Sequence, residues 1–329
     1  MRMFGKMMNR FYYGKSGKGD YTREDLPETR WQLFWEMLRV RFTALFKLNI
    51  MYMVAWLPAI IVIGRALMLG FSGLANLSEM QLQMEAGEIA AEMVRDTTLQ
   101  YQAAMQGVLM QTLLLLAPAI AITGPFTAGA AYVTRNWARD EHSFIWSDFW
   151  DAVKGNWKQG LLTSIITGVM PLFMYVSWTV YGNMAKTMPV CYVAQVLCIM
   201  IGLLWMMSLM YTYPQMITYD LKYPALIRNS LIMLIGRLPM TAGLKLLSVV
   251  PAVLCAVVSL LTPYAMYAML VYGLYYVLLG FALSRFVGAS YANAVFDRYI
   301  NVKIEGAEVG RGLQQMSDDD EEDDEAFEA

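Results

Sequence analysis

A chain of 329 residues with 57% hydrophobic and 16% charged residues, and a mean hydropathy of +0.40, is too apolar for a soluble globular domain of its size. The formal charge of −2 hides an asymmetry: nine carboxylates and no base follow Ser317, leaving the rest of the chain at +7. No nucleic-acid partner is expected from this balance, and the lipid bilayer is the first partner implied.

Four stretches carry no Asp, Glu, Lys or Arg: residues 97–134, 159–185, 187–219 and 246–284. A membrane-spanning helix needs about 20 apolar residues. The last stretch is too long for one span and is interrupted at Thr262-Pro263, which marks a tight hairpin. The expected fold is an all-α integral membrane protein of six transmembrane helices, arranged as three helical hairpins entered through interfacial amphipathic elbow helices.

Residues 1–30 mix Lys, Arg, Tyr, Gly and Met without an apolar core and read as a cytosolic N-terminal arm. The Gly14-Lys15-Ser16 triplet lacks the earlier glycine of a phosphate loop, since position 9 is Asn. The membrane domain covers residues 31–298. Its first elbow places Trp31, Phe34, Trp35, Leu38, Phe42, Leu45 and Phe46 at helical spacing, with charged residues elsewhere on the wheel. Spans are expected at about 48–69, 108–133, 161–181, 190–217, 240–261 and 264–283. An extracytoplasmic insertion occupies residues 72–107, where Ser78 and Gln81 match a capping box for a separate amphipathic helix. Residues 299–329 form a cytosolic acidic tail with the composition of a disordered, solubilising segment.

Of the 25 bases, 22 fall in segments on one side of these spans; Arg65, Arg95 and Lys186 fall on the other. That bias places both termini in the cytosol. A weak threefold repeat accompanies it: amphipathic segments at 31–46, 144–157 and 223–234 each precede a span with an internal proline, Pro58, Pro171 or Pro251. The spacing from Pro58 to Pro171 exceeds that from Pro171 to Pro251 by about the length of the insertion. Repeats of this kind pack into one bundle.

Gly124, Pro125 and Gly129 combine a helix breaker with a small-residue face, which suits close helix packing or a solute contact at freed carbonyls. Tyr213 and Pro214 occupy the corresponding end of the fourth span. In the second elbow, Trp146, Trp150 and Trp157 share an aromatic face, with Asn156 among them and Arg135 and Arg139 just before. This pattern suits an interfacial anchor or a partner-docking surface. Lys245 and Arg285 end the fifth and sixth spans, either snorkelling to the headgroups or forming an anion site between the helices. Cys191, Cys198 and Cys255 lie in apolar runs without metal-type spacing, and His142 is the only histidine. No catalytic residue, metal site or cofactor is expected.

The run Gly124-Pro125-Phe126-Thr127-Ala128-Gly129, with Arg135, Glu141 and the segment from Asp148 to Gly160, resembles the YesL family of bacterial membrane proteins, which carry domain of unknown function 624. The run from Tyr211 to Pro214, with Tyr219 and Asn229, is similar too, so the likeness spans about residues 31–298. The 78–107 insertion and the acidic tail depart from the family pattern. The resemblance implies a non-enzymatic protein of the bacterial cell membrane, serving as an accessory or regulatory subunit beside ABC-type carbohydrate uptake systems. A stand-alone solute transporter or channel is the alternative.

Overall fold

The computed structural model describes residues 26–314 and is helical, with no strand among them. Most of the basic arm and the acidic run 318–328 lie outside the described residues. Ten α-helices follow in order: α1 (Arg30–Val40), α2 (Phe42–Glu85), α3 (Ala91–Ala121), α4 (Thr123–Trp137), α5 (Ile145–Ala185), α6 (Cys191–Thr218), α7 (Tyr223–Gly236), α8 (Leu238–Leu261), α9 (Ala265–Tyr275) and α10 (Phe281–Tyr299). A π-helical turn, Tyr276–Gly280, joins α9 to α10. Six helical stretches are long and apolar enough to cross a membrane. This is a multi-pass membrane architecture.

The three hairpins are α2 with α3–α4, α5 with α6, and α8 with α9–α10. The last helix returns to the first hairpin, since α10 packs on α2 and α4, and the bundle is thereby closed. Both described ends lie on one face, where the Gln314 N–H donates to the Pro27 carbonyl at 3.0 Å.

The elbows differ in their local chemistry. Thr29 and Gln32 close a reciprocal capping box on α1, and the helix breaks at Arg41 before the first span. The third elbow, α7, ends at Arg237, one residue before α8. The second elbow is not separate: α5 runs unbroken for 41 residues from the interfacial segment through the third span. Asp148 anchors its start by accepting from the Phe144 N–H and the Ser143 hydroxyl, both at 2.8 Å, and its charge suits the positive end of the helix.

Residues 72–107 also differ from expectation. They form no independent loop with its own amphipathic helix; α2 and α3 simply continue beyond the span and turn near Gly87. Ser78 starts no helix, because it sits within α2 and donates to the Ala75 carbonyl. At 1.5 Å per residue, α2 is about 66 Å long, roughly twice the hydrocarbon thickness. The extension is held by Tyr101, whose ring lies on the bare backbone of Gly73 and whose hydroxyl donates to the Gly70 carbonyl at 2.8 Å.

The tightest helix contact is a glycine seam along α5. A Cβ on Gly124 would stand 2.0 Å from the Gly160 carbonyl oxygen, and one on Gly168 would stand 2.4 Å from that of Ala117. Gly129 meets the Phe149 carbonyl in the same way, at 2.8 Å. The second span is broken here into α3 and α4. Pro125 has no N–H to offer the Ala121 carbonyl one turn back, and the Ser164 hydroxyl of α5 donates to that oxygen instead, at 2.5 Å. In a bilayer an unpartnered carbonyl costs several kcal/mol, so the break and the seam are one device.

Ser164→Ala should therefore lower stability by about 1–2 kcal/mol, and Gly124→Ala by about 1–3 kcal/mol, because backbone faces the new methyl. Thermal unfolding in detergent measures both. Unchanged midpoints would show that the seam does not hold α4 to α5.

Candidate functional site

One cavity, of about 340 Å³, lies where the three hairpins meet. Its walls come from α2 (Tyr52, Trp56), α4 (Ala131, Thr134), α6 (Met210, Tyr213, Pro214), α8 (Lys245, Ser248) and the π-turn with α10 (Tyr276, Arg285, Gly288). The lining contains no Asp or Glu. Among the described residues no ion pair involves Lys245 or Arg285. The Arg285 guanidinium lies over the Tyr213 ring, 5.8 Å from its centroid. Lys245 lines the same cavity from α8.

The remaining polar lining is neutral. Trp56 also lines the cavity, and its indole N–H is buried with no hydrogen-bond partner among the described residues. Tyr276, Ser248 and Ser284 line it too, the Ser248 hydroxyl donating to the Lys245 carbonyl at 2.7 Å. Two cations that form no ion pair among the described residues, in a lining without a carboxylate, make a surface complementary to an anion.

The cavity's far wall is set by a residue that sequence reasoning missed. Asn49 is wholly buried in the first span. Its amide nitrogen donates to the Tyr276 and Val277 carbonyls, each at 2.8 Å, and its oxygen accepts from the Ala282 N–H at 2.9 Å. A π-turn shifts the backbone ladder by one residue and leaves such groups unpaired; one amide side chain satisfies three of them. The resulting bend turns Tyr276 and Phe281 toward Trp56, which stacks on Phe281 at 5.6 Å. The available signal was a lone Asn inside an apolar run that starts a span.

Of the residues singled out from sequence, Tyr213, Pro214, Lys245 and Arg285 are brought together here. Gly124, Pro125 and Gly129 are not among the lining and belong to the α4–α5 contact. Arg135 and Arg139 point away from solvent, toward Glu141, at 3.6 and 2.8 Å. Arg311 joins them at 3.5 Å. Trp150 is half-buried against Phe126 and Phe149, whereas Trp146 and Trp157 are exposed. Asn156 and Trp157 line a separate shallow cleft beside Asp220. The elbow residues thus form no single surface.

Behind the arginines lies a buried polar network. Asp297 pairs with Arg30, accepts from Asn301 and takes the Gly310 N–H at 3.2 Å. Tyr219 donates to Asn301 at 2.6 Å; burial first, and then the Asp297 charge, push its phenol up to about 12, so it remains a donor at neutral pH. Burial, then Arg139, lower the Arg135 guanidinium from its ordinary value, and Glu141 opposes them. This network locks the segment after α10 over the end of α4. His142 is exposed and meets only the Phe144 ring edge-on, at 4.6 Å. The three cysteines are unpaired, and no His, Cys, Asp or Glu cluster among the described residues could hold a metal ion.

Residues 103–178, from the second half of α3 through α4 and most of α5, match the family described as "Protein of unknown function, DUF624". This is the domain to which the resemblance of residues 124–160 points. No curated protein and no solved structure matches the chain.

Asn49→Leu should cost on the order of 3 kcal/mol, since it leaves two carbonyls and one N–H without partners; a thermal midpoint equal to wild type would show that the π-turn stands without it. Glu141→Gln strips three arginines of their shared counter-charge. A loss of about 3 kcal/mol is expected from such a partly buried cluster, read by the same unfolding assay.

Proposed function

We propose that the chain is a non-enzymatic protein of the bacterial cytoplasmic membrane that binds an anionic solute within the bilayer, as a binding or transport component of solute uptake. The observation carrying this reading is the pair Lys245 and Arg285, two basic side chains without an acidic partner among the described residues, which line one cavity at the junction of the hairpins. Keeping two like charges in a membrane interior is costly. A bound anion offsets that cost and a neutral ligand does not. Each hairpin contributes to the walls, so an occupant touches all three units of the bundle at once.

The excess of bases on the face carrying the described ends supports cytosolic termini. A phosphatase fused after Ala329 should be inactive and a fluorescent protein fused there should be bright; the reverse pattern would invert the orientation.

A second reading keeps the accessory role beside an ABC-type carbohydrate importer that the family resemblance implies. One structural observation favours it. Only Thr241 is buried along α8, and none of α9 is, so the third hairpin offers a long apolar face on which a permease helix could pack. Photocrosslinkers at Val253 and Leu270 should then capture a permease subunit in native membranes; crosslinks to lipid alone would count against it.

Thermal-shift measurements on the purified protein separate anion binding from sugar recognition. Phosphorylated or carboxylated sugars should stabilise the protein, neutral sugars should not, and Arg285→Gln should abolish the shift. Stabilisation by neutral sugars alone would sink the anion reading.

A further inference from the structure

The cavity is walled unevenly. On the inner side α2, α4, α6 and α10 pack against one another, but α8 packs mainly on its own hairpin partner α9 and only thinly on α6 and α7. Its terminal end is pinned by the Tyr211 and Thr241 hydroxyls at 2.7 Å and by Arg237 against Tyr299. Beyond those pins the wall thins. Leu247 and Ser248 of α8 and Ser284 of α10 line the cavity, yet all three are also exposed on the outer surface of the helix bundle. That surface faces hydrocarbon. The opening between α8 and α10 therefore joins a cationic interior directly to the bilayer.

Depth fits the same picture. Lys245 stands seven residues into α8, about 10 Å from its start, a depth that the headgroup of an amphiphile lying in the leaflet can reach. An amphiphile already in the membrane meets this opening sideways.

We propose that the cavity is the headgroup site of an anionic amphiphile, a phosphate- or carboxylate-bearing molecule with a hydrocarbon tail, whose anion lies between Lys245 and Arg285 while its tail leaves between α8 and α10 into the bilayer. The proposal rests on the anion-binding reading above and narrows it. Leu247 and Leu283, both in the cavity lining, flank the tail. The same chemistry is offered by a membrane phospholipid and by a diffusible amphiphile.

The test uses the full chain, purified in a maltoside detergent and stripped of lipid, with decyl phosphate and inorganic phosphate as probes in titration calorimetry. Decyl phosphate should bind with one-to-one stoichiometry and at least tenfold more tightly than inorganic phosphate. Lys245→Gln and Arg285→Gln should each weaken it by tenfold or more, Arg285→Lys should retain most of the affinity, and Lys47→Gln should change nothing. Leu247→Trp, which narrows the opening without removing either cation, should weaken decyl phosphate but not inorganic phosphate, and it guards against misfolding of the charge variants. Equal affinity for the two phosphates would overturn the amphiphile and leave anion binding standing. Binding of neither would overturn both. Decyl phosphate affinity unaffected by the two glutamine substitutions would place its site elsewhere and overturn the proposal. Native mass spectrometry of protein taken gently from its own membranes then identifies the source: a retained anionic phospholipid, lost in the double glutamine variant, marks a lipid site, and an empty protein that still binds decyl phosphate marks a diffusible amphiphile.

Discussion

The close approach of α4 and α5 at Gly124 and Gly160 governs much of what surrounds it. With no side chain on either residue, the two backbones come near enough for Ser164 to reach the Ala121 carbonyl that Pro125 leaves without a donor. The second span can therefore break in the middle of the membrane at little cost. The break aims α4 so that Ala131 and Thr134 face the cavity while Trp137 closes the core near the terminal face. A larger residue at the seam would separate the helices and expose the carbonyl together.

All three returning spans are interrupted, each by different chemistry. The first is cut at Pro125, the second carries Pro214 one turn from its end, and the third turns through the π-segment that Asn49 stabilises. The last two interruptions lie against the cavity. Irregular backbone at membrane depth is tolerated where it is buried in protein or lines a cavity, and here the irregularity widens the space that Lys245 and Arg285 enter. The repeat thus has a physical use: three hairpins with bent return helices meet around one polar hollow.

Charge is handled in opposite ways at two levels of the molecule. Near the described ends, Arg30, Arg135, Arg139 and Arg311 are each matched to Asp297 or Glu141. One level in, Lys245 and Arg285 share a cavity with no acid among the described residues that line it. The first arrangement fixes structure, since every cation has its partner in the fold. The second leaves its partner to be supplied from outside.

Composition and charge-free runs were enough for the membrane class, six spans, their proline positions and the three hairpins, because a bilayer imposes length and hydropathy directly on sequence. The Gly124–Gly160 stretch also lies within the residues that match the family of unknown function. Other features were out of reach. Whether α5 breaks at its elbow depends on Asp148 and on packing along the whole helix, and the 72–107 segment carries enough helix formers to extend α2 without any signal that a span has ended. Arg135 and Arg139 looked like surface charge although Glu141 is only six and two positions away, because the segment that covers them, with Glu308 and Arg311, returns from the far end of the chain. The cavity is the clearest case: Tyr52, Tyr213, Lys245 and Arg285 come from four separate helices, and their meeting follows from Asn49 bending the last span and from glycines drawing helices together, contacts between residues that no local pattern relates.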